Sequence, residues 1–247
     1  MINIIDNWQN AARNCFLALA IGLIILGVTG CVDQIVSDRV ENRIKERLPE
    51  LIGPAESYHV EVHGSLNQMI RGWIREVEIR GKGVKVMPNL CMDTLDINLS
   101  DVAADPDTLE IKTIGEIGFE ALISEQRIND YLAYTRKDGL KVKLLDGKMI
   151  TKSRPKVLGV SANIQVIGYL VPDGRKLNFR IQRFEVAGIR TPKVAVHTLE
   201  NRINPVLDMK TTQFSTELKT AAITPDGIRL TGDAKLVGVG SIAAVAR

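Results

Sequence analysis

Histidine and glutamate alternate in one short stretch of this chain, His59-Val60-Glu61-Val62-His63. In an extended strand, residues 59, 61 and 63 project from one face, so two imidazoles and a carboxylate could meet a zinc ion. Neighbouring ligands on a single strand hold a metal poorly without a third element, and the one further histidine is His197. A strand with a solvated polar face opposite Val60 and Val62 gives the same pattern. No metal is therefore assigned, and a hydrolase using His59 and Glu61 is the weakest functional option.

Other chemistry is harder still to find. The chain has no Gly-x-Ser-x-Gly, no cysteine–histidine arrangement of a known type, and no glycine-rich phosphate loop before a helix. Arg80-Gly81-Lys82-Gly83 resembles a hairpin turn. No carboxylate pair sits on the apolar background that would drive two pKa values apart for acid–base work. No catalytic residue and no cofactor is expected, and the chain reads as one that binds rather than reacts.

What it could bind is suggested by apolar residues without an obvious structural duty. Leu66, Met69, Ile70 and Trp73 fall in a short segment interrupted by Asn67, Gln68 and Arg71. Trp73 joins a large apolar body to one donor, which suits a boundary between water and hydrocarbon. Ile128 and Leu132, then Leu199, Ile203 and Leu207, form stripes on two expected helices. Plain core packing explains each of these residues taken singly. Arg71 and Arg75 carry guanidinium forks that match phosphate oxygens, although solvated surface charge accounts for either alone.

The longest apolar run points to a membrane. From Asn14 to Val32, between Arg13 and Asp33, there are 19 uncharged residues, just enough to cross the hydrocarbon core as a helix. Its end, Val28-Thr29-Gly30-Cys31, resembles a lipobox in which Cys31 would carry lipid. An apolar core followed by small residues fits a signal segment, yet the preceding residues have only Arg13 as a basic side chain. As an uncleaved anchor the run is long enough, but Arg39, Arg43, Lys45 and Arg47 follow it, which would keep the domain cytoplasmic. Cys31 as a small apolar residue at a helix end is the third account. The expected division is 1–31 as signal or anchor, 32–240 as the domain, and 241–247 as a tail.

A net charge of +3 is too small to argue for nucleic acid. After Cys31 only Cys91 remains, so the domain can hold no internal disulfide and must rest on its core. Aromatic residues make up only 4% of the chain, so that core is largely aliphatic. Ile35, Val36, Val40, Ile44, Leu48, Leu51 and Ile52 form one helical stripe, which Gly53-Pro54 ends. Ser124 caps a second expected helix, with Glu125 in its first turn. Thr191-Pro192 opens a third, stopped by Pro205.

Alternating rows mark antiparallel strands covered on one face: Leu95 to Leu99, Val160 to Leu170, Leu177 to Ile181 and Ile228 to Leu236. Asp138-Gly139, Asp146-Gly147, Asp173-Gly174 and Asp226-Gly227 supply turns between such runs. A shift of apolar phase near Arg183 predicts a β-bulge. A strand from Val160 to Val171 would span about 40 Å, so the sheet must coil around its few helices and leave an aliphatic-lined groove where cover is incomplete. A short echo also stands out: Arg127-Ile128-Asn129 with Leu132, Arg202-Ile203-Asn204 with Leu207, and Glu41-Asn42-Arg43-Ile44 against Glu200–Ile203.

Five stretches in this order resemble one known family: SLNQMIRGWIREVEI (65–79), LDINLSDV (95–102), ALISEQRINDYL (121–132), NRINPVLDM (201–209) and FSTELKTAAITPDGIRLTG (214–232). Their order and spacing are similar to those of the LmeA-like bacterial phospholipid-binding proteins, over about Ile35 to Ala234. The resemblance implies a cell-envelope location with the domain on the extracytoplasmic side, and phospholipid as the partner. It implies an α+β fold in which a long, strongly curved antiparallel sheet wraps two or three helices, as in tubular lipid-binding proteins. The chain departs from the pattern in its weakly basic start and in Thr211-Thr212-Gln213, where a proline-containing segment is expected. An anchored envelope scaffold without a lipid ligand is the alternative. The sequence names no protein partner.

Overall fold

In the computed structural model, the described residues are 41–236, apart from 43, 47, 51, 88, 105–110, 136–138, 158–159 and 210–213. The apolar run, Cys31, the 211–213 departure and the tail lie outside them. Among the described residues, no helix is long and apolar enough to cross a membrane.

Helix α1 lies within 41–50, α2 is Leu66–Met69, α3 is Glu125–Thr135 and α4 is Lys193–Ile203. The strands begin with β1 (Ser57–His63), β2 (Trp73–Met87), β3 (Leu90–Ala104) and β4 (Ile111–Ile123). After α3 come β5 (Lys141–Leu145), β6 (Lys148–Ser153), β7 (Lys156–Val157), β8 (Val160–Ser161), β9 (Ile164–Asp173), β10 (Lys176–Val186) and β11 (Ile189–Arg190). After α4 the chain ends with β12 (Leu207–Asp208), β13 (Phe214–Thr224) and β14 (Gly227–Leu236).

The protein is dominated by antiparallel sheet, with few helices. Among the described residues the strand pairing gives two six-stranded sheets and a two-stranded β7–β8 ribbon rather than one continuous sheet. The first runs β1-β2-β3-β4-β14-β13; the second includes β11-β10-β9-β6-β5, with β12 paired to β10. They are joined through the outer edge of β13, which meets turns instead of a strand. Gly147 donates its N–H to the Ile223 carbonyl at 2.9 Å, and Leu218 donates to the Gly174 carbonyl at 2.8 Å. Both glycines sit at positive φ, 68° and 58°, where an Asp-Gly turn needs a residue without a Cβ penalty.

The expected strand from Val160 is broken. Ala162 and Asn163 leave it: Ala162 donates to the Pro155 carbonyl, and the Asn163 carbonyl accepts from Ala187. Regular pairing starts at Ile164, with the even-numbered row turned inward as its alternation requires. The bulge near Arg183 is present, since the β9–β10 register shifts between Ile181 and Arg183. The helix expected to open at Thr191-Pro192, α4, begins at Lys193 with Pro192 as a cap that makes no side-chain bond. Thr191 is unavailable for capping because both its N–H and its hydroxyl bind the Phe184 carbonyl.

One aliphatic core links both sheets. It includes Ile44 and Leu48 of α1, essentially inaccessible at 1% and 0%, with Ile79, Leu99 and Leu230 from the first sheet and Leu144, Leu170 and Phe179 from the second. Ser124 caps α3 as its residue type dictates, its Oγ accepting from Arg127 N–H at 3.4 Å.

Candidate lipid-binding site

The two faces of the first sheet have opposite chemistry. Across β1–β4, β14 and β13 the outer face carries Arg80 paired to Glu78 at 2.7 Å, Asn98 to Glu76 at 2.9 Å, Arg229 to Glu120 and Lys219 to Asp233. Such exposed pairs add little stability. They do fix which face is wet. The shallow depression on this face is lined by Glu78, Arg80, Asp96, Asn98 and Glu120 together with Ile79, Ile97, Gly118 and Phe119, and it lies open to solvent among charged side chains. Burial pushes the Asp96 carboxyl there above its usual range. The opposite side of the same strands carries the aliphatic core residues.

The histidine stretch lies on that wet face. His59 Nε2 is 2.9 Å from Glu61 Oε1, and His63 Nε2 is 3.7 Å from Glu61 Oε2. The missing third element is Glu78 of β2, 3.6 Å from His63. Glu61, His63 and Glu78 thus have ligand atoms close enough to share an ion. Arg80 already occupies that charge, bonding Glu78 and lying 3.9 Å from Glu61. The hydrogen bond from His59, aided by Arg80, holds the Glu61 carboxyl below its usual range.

On the aliphatic side, α3 and α4 are held by the same device, at the open edge of β5 and at the stretch of β10 left open between its pairings with β12 and β11. Glu125 Oε2 accepts the Leu144 N–H at 2.8 Å, while Asn129 accepts from Val142 N–H at 2.7 Å and donates to its carbonyl at 2.8 Å. Glu200 accepts the Ile181 N–H at 2.7 Å, while Asn204 accepts from Phe179 N–H at 2.7 Å and donates to its carbonyl at 2.9 Å. Four helical residues rise about 6 Å and two strand residues about 6.8 Å. Glu and Asn at i and i+4 therefore reach alternate residues of an adjacent strand. The echo is thereby explained: Glu-x-Arg-Ile-Asn recurs at 125–129 and 200–204. Helix α1 carries the glutamate alone, Glu41 accepting the Val62 N–H of edge strand β1 at 3.2 Å. Binding to the Leu144 amide, with Lys143 nearby, keeps the Glu125 carboxyl below its usual range.

Polar clamps hold these helices, and neither buries a residue fully. Ile128 and Leu132 of α3, Leu199 and Ile203 of α4, and Leu207 of β12 lie half-buried against the core. The segment around α2 divides. Met69 is core at 7% exposure, whereas Ile70 and Trp73 stand out at 49% and 56%. Arg71 and Arg75 are exposed beside them, and the side chain of Leu66 is outside the described set. The structure thus brings Met69 and the helix residues to one cluster and leaves Ile70 and Trp73 outside it. Sequence reasoning placed Ile164 and Ile181 in apolar strand rows but left them, with Met149 and Phe184, out of the candidate set; all four are half-buried on the second sheet around the same core. The even-numbered row containing Ile164 was the available signal.

Sheets bordered by clamped helices, with aliphatic surface only half covered, define a sheet-dominated α+β domain whose inner side is suited to apolar contact. The family model of LmeA-like phospholipid-binding proteins matches residues 31–233, and the chain belongs to that family. No curated protein and no solved structure matches it.

Proposed function

We propose that this is a membrane-tethered phospholipid-binding protein of the bacterial cell envelope, which holds acyl chains against the half-covered aliphatic surface between α3, α4 and the sheets, for lipid transfer or envelope maintenance. The family match over residues 31–233 carries the reading. The supporting geometry is the set Ile128, Leu132, Leu199, Ile203 and Leu207, apolar residues against the core that keep a share of accessible surface. Helices pinned by side-chain hydrogen bonds rather than by buried faces can yield space to a chain without dismantling the core. Ile70 and Trp73, with Arg71 and Arg75 beside them, form a rim where hydrocarbon, headgroup phosphate and water meet. The 14–32 run supplies the tether, either by spanning the bilayer or through lipid on Cys31. The activity is binding rather than catalysis.

The test is recovery of lipid with the full chain purified after metabolic labelling of phospholipid, with detergent exchanged for amphipol. Mass spectrometry should find phospholipid bound at a fixed ratio. Chain that folds cooperatively yet neither retains nor takes up lipid would leave the scaffold reading in its place.

A further inference from the structure

The two most exposed large aliphatic side chains among the described residues lie five positions apart, on a part of the surface assigned no role so far. Ile189 is 73% accessible and Val194 79%. Both stand where β10 turns through Ala187 and Gly188 into β11 and then α4. The turn is well held. Ala187 and Gly188 take left-handed φ values of 51° and 80°, and the Ala187 N–H binds the Asn163 carbonyl at 2.7 Å. Val186 pairs with Ile189 and Glu185 with Arg190. Thr191 is tied to the Phe184 carbonyl through both its N–H and its hydroxyl, at 2.9 and 3.0 Å. The apolar side chains are thus presented on a fixed backbone.

Within the segment that forms this tip, charge has one sign. From Val186 to Leu199 the sequence contains Arg190, Lys193 and His197 and no aspartate or glutamate. The nearest acid in sequence, Glu185, is bonded to Arg183 at 2.6 Å, which leaves Arg190 and Lys193 exposed beside Ile189 and Val194.

Size decides the kind of partner. A stable protein interface buries about 800 Å² on each side, far more than two aliphatic side chains offer. A bilayer asks for less: shallow insertion of a few apolar atoms, reinforced by cations over anionic headgroups. Weak insertion suffices for a chain held at a membrane by the tether proposed above, because such a tether raises the local concentration of its target. We propose that the β10–β11–α4 tip is a membrane-docking element, with Ile189 and Val194 entering the interface of an anionic phospholipid bilayer and Arg190 and Lys193 meeting its phosphates. Lipid would then be exchanged across this contact. That last clause rests on the phospholipid reading above; the docking rests only on the tether proposed there.

The experiment uses the full chain with Cys15, Cys31 and Cys91 replaced by serine and an environment-sensitive fluorophore at Ala187→Cys. The chain is reconstituted into vesicles of phosphatidylcholine alone, or with added phosphatidylglycerol. Emission should shift to the blue only where phosphatidylglycerol is present, and added salt should reverse the shift. Ile189→Asp with Val194→Asp should abolish it. Arg190→Glu with Lys193→Glu, at exposed positions that cannot unfold the core, should lower the ratio of blue-shifted to unshifted probe on phosphatidylglycerol vesicles by roughly fivefold or more per charge. A probe that stays in water on anionic vesicles, or a shift that survives both double variants, overturns the proposal. Uptake of fluorescent phospholipid delivered from cyclodextrin needs no docking and should be unchanged in both variants. If the parent chain docks but takes up no lipid, the phospholipid reading fails and the docking element stands.

Discussion

At the scale of single residues, polar groups in aliphatic surroundings are the most sensitive points. Thr216 of β13 is buried, and its hydroxyl has no hydrogen-bond partner. An unmade bond of that kind costs about 1–3 kcal/mol. Thr216→Val keeps the shape and removes the penalty, so it should raise the thermal midpoint; a lowered midpoint would show that the hydroxyl is satisfied in solution. Glu125 gives a second expectation. Its folded pKa lies below the usual 4.5 because the carboxylate accepts the Leu144 amide. Its contribution is therefore complete above pH 4.5 and is lost as pH falls through the lowered folded value. Glu125→Gln should flatten the pH dependence of the melt in that acid window and leave it parallel to the parent above it. At the His59–Glu61–His63–Glu78 cluster, where Arg80 supplies the positive charge, a chelator should leave the melt unchanged; a chelator-sensitive midpoint would reinstate a metal there. The same-face placement of His59, Glu61 and His63 was legible from alternation alone. Glu78 was not, because cross-strand register depends on pairing that no local pattern encodes.

At the scale of elements, α3 and α4 are attached to strand edges by a repeated pair of side chains. Removing Asn204 leaves the Phe179 N–H and carbonyl without their partner. Asn204→Ala should therefore destabilise the domain by about 2 kcal/mol, and Asn129→Ala by a similar amount through Val142. Aspartate at either position keeps the acceptor but turns a carboxylate toward a carbonyl, so it should rescue only part of the loss. Chemical denaturation of the four variants provides the check; equal stability throughout would mean that the clamps are replaced by water. The rows of β3, β9, β10 and β14, the Arg183 bulge and the α3 cap were legible because alternation, phase and cap chemistry are local signals. The Glu-x-Arg-Ile-Asn repeat was visible as an echo without meaning, because its duty involves backbone groups far along the chain. The break at Ala162–Asn163 was hidden for the same reason: apolar alternation continues through it, and only the Pro155 and Ala187 hydrogen bonds reveal it.

At the scale of the whole molecule, the distribution of covered and uncovered apolar surface separates packing from binding. Leu99, at 1% exposure, is held between β2 and β4 in the first sheet. An aspartate there faces burial without a partner, costing several kcal/mol, and Leu99→Asp should unfold the chain. Met69→Asp should behave similarly, since Met69 belongs to the core and not to an open rim. Trp73, more than half exposed, can exchange its indole for a solvated carboxylate with little loss of stability. Its replacement does remove the large amphipathic surface proposed to stand at the boundary between acyl chain and headgroup, and places negative charge between Arg71 and Arg75. Trp73→Asp should thus melt within a few degrees of the parent and still slow the transfer of fluorescent phospholipid between vesicles by about tenfold. Transfer at the parental rate would remove Trp73 from the rim and leave the half-covered faces of α3 and α4 as the entry route. A fall in stability matching the fall in transfer would instead make the α2–β2 corner ordinary core, despite its exposure in the folded chain.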